Sequence, residues 1–400
     1  MYGVEWSLEK LGVAHGVKVS ERVPREPPHC RYGESVNSRS VTQCIALGAG
    51  GGLLAVSLKP QWTLLMPWDS TAVAIAIAAA ICALFAHQPR WLQGGASAGI
   101  ALLIGQQFVL TSVNLGLFGV ALLLGCLAGL ARSPELQCAL GAGVMLGMAL
   151  DGARLGMPRR YADYEPSHSF WSGSTEVAGL VLAGITLIAL LWAKWSGGKQ
   201  ASAQVLAVCV ALPLVVLFET QLMHSTIFAV VAAATLIAAA FLLPGSSGLV
   251  VLAGGTIAIA PFRSAYPSPV LALALCVAII AGLVLGRRWP HVPTGIVVVA
   301  LAVSPALLSM NGLATVALLI GALGAAYAFA SAVDVPAAVL AVGIAVPFFP
   351  TVVERVNFGW TAYTPLTDLP THFTILTNGW LPALILAAYA GAAFVLTRLR

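Results

Sequence analysis

Residues 203–243 read AQVLAVCVALPLVVLFETQLMHSTIFAVVAAATLIAAAFLL, with two apolar segments at 203–221 and 225–243 on either side of a short polar break. Each segment is long enough to cross the hydrocarbon core of a bilayer, which takes roughly 17–25 helical residues. A helix satisfies its own backbone hydrogen bonds in lipid, whereas a single strand does not. This stretch therefore predicts two transmembrane helices joined by a tight turn.

The same alternation of apolar segments and helix breakers continues along the chain. It predicts an all-α, polytopic transmembrane bundle of about 12–14 helices. Alanine and glycine dominate the segments, which favours close helix contact in lipid. The candidate segments lie at 43–58, 70–86, 94–112, 116–131, 136–150, 174–193, 203–221, 225–243, 248–262, 269–286, 294–309, 312–332, 335–349 and 379–397.

Composition excludes a soluble protein. Hydrophobic residues make up 59% of the 400 residues and charged residues 9%, and the mean hydropathy is +0.92. Soluble domains carry about 25% charged residues. The net charge of +5 comes from 20 Lys and Arg that are scattered among short loops and never form a run. The predicted partner is therefore the lipid bilayer, and no nucleic acid is expected.

Two regions of different character follow from the segment pattern. Residues 1–42 are rich in charge and proline and lack apolar periodicity, which predicts a disordered N-terminal tail. Residues 43–400 are predicted to form a single integral membrane domain, with long outer loops at 151–173 and 350–378.

Basic residues predict the orientation, because cytoplasmic loops carry an excess of Lys and Arg. With fourteen helices, 14 basic residues lie on the side of the N-terminus and 6 on the other side. Without the tail the numbers are 8 and 6. Both termini are therefore predicted to be cytoplasmic, in a multi-pass protein of the plasma membrane.

The outer side holds most of the acidic residues and the two long loops. Trp and Tyr in these loops are typical of anchoring at the membrane interface, whereas long loops in a compact bundle also carry functional residues. Asp69, Asp163 and Trp360 are the candidate site residues on this side.

The first long loop contains GMPRRYADY at 156–164, followed by Pro166, Phe170 and Ser174. This stretch, 156–174, resembles the late outer loop of haem-copper cytochrome c oxidase subunit I, in which paired arginines hold haem propionates. The resemblance implies that Arg159 and Arg160 bind an anion or a propionate. It also implies haem as a cofactor and other respiratory membrane subunits as partners. The planar, permanently charged guanidinium group suits such bidentate binding.

The rest of the oxidase pattern is missing. Subunit I of that family needs histidines within its helices for two haems and a copper. Of the seven histidines here, His224 alone lies near the core of a membrane segment. The resemblance therefore points to a non-catalytic subunit or an assembly factor of a respiratory complex, not to a working oxidase.

A second cluster of polar residues lies around the break between the seventh and eighth segments. Glu219, Gln221 and His224 stand in or beside an apolar segment, where ionisable residues are costly and often functional. The hypothesis is a proton or substrate relay. The alternative is that the turn reaches the interface and the side chains are hydrated.

No catalytic or metal-binding constellation is present in the sequence, so an enzyme is not expected. The main prediction is a transporter or permease of unknown substrate, supported by the helix number and by proline-interrupted segments. The alternative is the respiratory subunit or assembly factor. A lipid-linked glycosyltransferase, with Asp69 as its outer carboxylate, ranks last because a paired acidic motif is missing.

Overall fold

The computed structural model describes residues 38–57, 70–106, 113–151, 174–196, 201–222, 226–264, 269–304, 313–349 and 380–399. This part of the chain consists of fourteen α-helices, a few 3₁₀ turns and connecting residues. Each helix falls on one of the predicted segments, so the all-α transmembrane prediction is confirmed. The predicted tail up to residue 37 and most of the two long outer loops lie outside the described residues.

Six helices form a first bundle. In it α5 and α6 pack on α1, α2 and α3 pack on α4, and α6 also contacts α3. The helices are α1 Ser38–Ser57, α2 Ser70–Cys82, α3 Pro89–Gln106, α4 Val113–Leu130, α5 Pro134–Asp151 and α6 Ser174–Trp192.

The last six helices form a second bundle. Here α13 and α14 pack on α9, α10 and α11 pack on α12, and α14 also contacts α11. The helices are α9 Ser247–Ile259, α10 Pro269–Arg288, α11 Val292–Ala302, α12 Leu313–Ala332, α13 Ala337–Ala345 and α14 Leu381–Arg398.

These two bundles are repeats of one packing pattern. Each of the five helix pairs named for the first bundle recurs eight helices later in the second. The bundles touch mainly through α2 with α13, α5 with α10, α4 with α13 and α5 with α12. The same offset converts the first pair into the second and the third pair into the fourth. The described helices thus form a duplicated structure in which equivalent surfaces meet.

Glycines permit close contact between equivalent helices in each bundle. A side chain at Gly143 on α5 would overlap the carbonyl of Gly48 on α1, and one at Gly254 on α9 would overlap the carbonyl of Gly343 on α13. Membrane helices gain van der Waals contact when small residues let their backbones approach. The α1–α5 contact and its counterpart α9–α13 are therefore held in the same way.

Between the two bundles lies an antiparallel pair, α7 (Ala203–Leu222) and α8 (Thr226–Leu242), which we call the hairpin. Helix α7 packs on α2 and on α13, whereas α8 packs on α9 and on α14. The hairpin has no counterpart in the repeat. It lies beside the α2–α13 contact between the bundles.

Hydrogen bonds between helix ends show that successive helices run in opposite directions. Gln43 at the start of α1 donates to the carbonyl of Lys194 after α6, at 2.7 Å, and Gln93 at the start of α3 donates to Leu190 near the end of α6, at 2.7 Å. Gln204 at the start of α7 donates to Leu242 at the end of α8, at 3.3 Å. Helices α1 and α3 therefore begin on the side where α6 ends, and α7 begins on the side where α8 ends.

Candidate functional site

The beginning of α5 carries the most extensive polar contact between the two bundles. Ser133 lies just before the helix and its hydroxyl accepts a bond from the backbone N–H of Leu136 at 3.4 Å. Pro134 occupies the first helical position, where its missing N–H costs nothing. This start aims Glu135, Gln137 and Gly141 at the second bundle.

Gln137 is buried and binds the turn between α12 and α13 through both ends of its amide group. Its Nε2 donates to the carbonyl of Val335 at 2.8 Å. Its Oε1 accepts from the backbone N–H groups of Asp334, at 2.8 Å, and Val335, at 3.2 Å. Asp334 has φ 94°, a conformation that non-glycine residues rarely adopt, and the hydrogen bonds with the Gln137 side chain hold it there.

Two further contacts between the bundles lie on either side of Gln137 along α5. At the surface, Arg287 in the last turn of α10 donates to Glu135 Oε1 at 3.0 Å. Deeper along α5, Gly141 lies against the ring of Phe329 on α12, where any side chain at 141 would overlap the ring. We call these three layers, the Glu135–Arg287 pair, the Gln137 amide and the Gly141–Phe329 contact, the latch.

The layers of the latch differ in energetic weight. The ion pair has both side chains well exposed to solvent, and such pairs contribute about 0–1 kcal/mol. Gln137 is buried, and leaving one of its backbone partners unsatisfied would cost about 1–3 kcal/mol. The buried amide therefore determines whether this side of the bundle contact holds.

Glu219 is placed by the hairpin. It lies near the end of α7, is only 8% exposed, and its Oε1 accepts a hydrogen bond from the hydroxyl of Thr235 near the middle of α8. Its Oε2 is buried and has no hydrogen-bond partner among the described residues. One oxygen of this carboxyl group thus has a hydrogen-bond partner, and the other has none among the described residues.

The helices packed on α7 offer no compensating charge. Their described sequences are STAVAIAIAAAIC in α2, TIFAVVAAATLIAAAFL in α8 and AAVLAVGIA in α13, and none contains Asp, Glu, Lys, Arg or His. Cys82 on α2 and Cys209 on α7 are the other titratable side chains of these four helices in the described part. A negative charge on Glu219 would therefore be buried without a counter-charge from these helices.

Of the predicted site residues, Glu219 alone has a side chain that the structure describes. Glu219 is buried between the hairpin helices, and Gln221 lies in the last turn of α7, but its side chain is outside the description. His224, Arg159, Arg160, Asp69, Asp163 and Trp360 all lie outside the described residues. Sequence reasoning missed Gln137 altogether. A polar residue following Ser133 and Pro134 gives the ordinary signal of a helix start and hides this role.

Two solved structures that align with 90% of this chain are proton:sugar symporters. The chain resembles the proton:xylose symporter XylE of the major facilitator superfamily, with a TM-score of 0.50, 15% identity, and coverage of 90% of this chain and 96% of that one. The fucose:proton symporter FucP of E. coli aligns with a TM-score of 0.45 and 14% identity, over 90% of this chain and 98% of that one. No protein-family model matches the sequence, and no curated relative matches it.

The resemblance to oxidase subunit I is wrong. It rested on residues 156–174, whereas the likeness of the fold to XylE extends over 90% of the chain. A short basic loop at a membrane surface has uses in many folds, so it identifies none of them. The haem, the respiratory partners and propionate binding lose the resemblance that supported them. Anion binding by Arg159 and Arg160 stays a prediction.

Proposed function

We propose that this chain is a secondary transporter of the plasma membrane that exposes a solute site to each side of the membrane in turn. The supporting observation is the duplicated bundle, in which two equivalent helix pairs, α2–α13 and α5–α10, join the two halves. Repeated bundles that rock about a common site are the usual basis of alternating access. The fold shared with XylE supports the same proposal.

The latch gives this transporter a closed side. It joins the bundles at the end of the molecule where α5 begins and α10 ends. The distribution of basic residues predicts that this end is cytoplasmic. We therefore interpret the described conformation as closed toward the cytoplasm, and opening on that side requires the latch to separate.

The contact helices favour an apolar or amphipathic solute over a sugar. Away from their ends, the described parts of α2, α5, α10 and α13 carry alanine, glycine, cysteine, methionine and aliphatic side chains. Each sugar hydroxyl that enters a buried site needs a hydrogen-bond partner, because an unpaired one costs about 1–3 kcal/mol. Sites of this composition instead suit ligands with an apolar body.

Transport can be tested with purified protein in two steps. Thermal stability is first measured against monosaccharides, amino acids and amphipathic organic ions, since a ligand that binds the folded state raises the unfolding temperature. Uptake of any stabilising solute into proteoliposomes is then measured with and without an imposed pH gradient. The proposal predicts saturable uptake; its absence for every stabilising solute would contradict the proposal.

Cross-linking tests alternating access itself. In a background lacking the seven native cysteines, Glu135→Cys with Arg287→Cys places one thiol on each bundle across the latch. A short bifunctional maleimide should then abolish uptake. The matched control, Gln43→Cys with Lys194→Cys, spans a similar helix-end contact within the first bundle and should keep its uptake. Equal uptake by both cross-linked variants would exclude movement at the latch.

A further inference from the structure

Glu219 lies on the hairpin, outside both repeated bundles, and this position sets it apart from the latch. The helix that carries it contacts α2 in one bundle and α13 in the other. Relative movement of the two bundles therefore changes the surroundings of a side chain on α7. The inference below rests on the proposed transport function.

The surroundings of the buried Glu219 carboxyl group restrict which ligand it can bind. One oxygen accepts from Thr235, the other has no partner among the described residues, and the helices packed on α7 supply no cation. Hard metal cations require about six oxygen ligands, far more than one carboxylate and one hydroxyl provide. A proton requires a single lone pair and removes the uncompensated charge.

We propose that Glu219 is a reversible proton-binding site and couples proton movement to transport. The Thr235 hydroxyl fixes Oε1, and the proton binds Oε2, so that a carboxylate and one hydronium ion become a neutral carboxylic acid and a water molecule. Release of that proton returns the carboxylate. The charged form is stable only when water reaches it, and rocking of α2 against α13 beside α7 provides that access.

Proton binding can be measured without knowing the solute. Infrared difference spectra of the purified protein, recorded as the pH is raised, should show loss of a protonated carboxyl band. Glu219→Gln should lack this band, whereas Glu219→Asp should keep a titrating band. Thr235→Val should shift its frequency, because the hydrogen bond to Oε1 is gone. The matched control Glu176→Gln, on α6 of the first bundle, should keep the band.

The outcomes separate this inference from the transport proposal. In proteoliposomes, the uptake rate of Glu219→Gln with a pH gradient should fall to the rate measured without a gradient. The variant should still exchange solute across the membrane. If the wild-type spectrum lacks the band, or if the band persists in Glu219→Gln, the proton site is overturned even if uptake is found. Conversely, a Glu219 band in a protein that transports no solute would overturn the proposed function and leave the proton site standing.

Discussion

Polar side chains in the described helices divide by whether their own helix can satisfy them. The hydroxyls of Thr186, Thr256 and Ser304 bond to carbonyls three or four residues earlier, at 2.7–2.8 Å, and require no other helix. An amide and a carboxylate have more bonding capacity than such a neighbour can supply. Gln137 and Glu219 therefore report on contacts between elements, whereas the hydroxyls do not.

Replacing Gln137 with leucine should destabilise the latch. Gln137→Leu keeps the volume but leaves Val335 O and two backbone N–H groups without their partner. We expect a loss of about 2–4 kcal/mol, since each buried unsatisfied group costs about 1–3 kcal/mol and part of the turn becomes hydrated. Thermal unfolding in detergent measures the change.

A control for this variant lies within the first bundle. Gln93 also donates to a backbone carbonyl, that of Leu190, but it bonds one partner and joins α3 to α6. Gln93→Leu should lower stability by about 1 kcal/mol and leave the latch closed. In a background lacking the native cysteines, a thiol-reactive probe should therefore label Val335→Cys, a buried position of the turn, faster with Gln137→Leu than with Gln93→Leu. Equal labelling would argue against a role of Gln137 in closing the latch.

Gly141 gives a steric test of the deepest latch layer. Gly141→Leu forces the Phe329 ring out of its place, and overpacking of this kind costs about 1–3 kcal/mol. Gly184→Leu on α6 is the matched control, because nothing lies within 4 Å of its added carbon. Adding Phe329→Ala to Gly141→Leu should restore part of the lost unfolding temperature. Failure of this rescue would show that the two positions are not coupled.

At this scale the sequence predicted Glu219 and missed Gln137, for a physical reason. A charge in an apolar segment is conspicuous wherever its partners lie. Gln137 stands near a helix start, where polar residues are ordinary, and its partners lie 197 and 198 residues away in the chain. Only the folded arrangement shows that its amide group is buried.

The helices themselves were predictable one by one, because each must bury its backbone polar groups across the same bilayer thickness. Their packing was not. Segments such as VALLIGALGAAYAFA in α12 are apolar on every face, so periodicity gives no preferred side. The close glycine contacts that select partners are also indistinguishable, by sequence alone, from the many other glycines in the chain.

Removing the hairpin as a unit tests its status as an insertion. Deletion of residues 203–243 removes two helices, so α9 should enter the membrane in its original direction and the repeat should assemble. Deletion of 226–243 alone removes one helix and should invert everything that follows. C-terminal fusions to green fluorescent protein and alkaline phosphatase distinguish these results. Inversion in both deletions would show that the hairpin is not a removable pair.

The duplicated architecture of the whole molecule explains why the repeat was invisible in the sequence. Equivalent helices are eight apart, not six, because the hairpin interrupts the chain between the bundles. The α1–α5 and α9–α13 contacts share only small residues at the crossing points. In lipid, many apolar residues fill the remaining positions equally well, so two bundles can keep one packing pattern with little sequence in common.

The same repeat makes a prediction about topology. An offset of eight is even, so both bundles must begin on the same side of the membrane, and fourteen helices return the C-terminus to the side of α1. The basic residues at the end of α10, Arg287 and Arg288, and the final Arg398 and Arg400 predict that this side is cytoplasmic.

Reporter fusions should therefore read cytoplasmic after residues 200, 290 and 400, and external within 155–170. The reading after 290 tests the repeat most directly, because it places the end of α10 on the side where α5 begins, as the Glu135–Arg287 pair requires. An external reading there with a cytoplasmic one at 400 would break the alternation of helices. An external reading at all three positions would keep the fold and reverse its orientation, and the latch would then close the outer side.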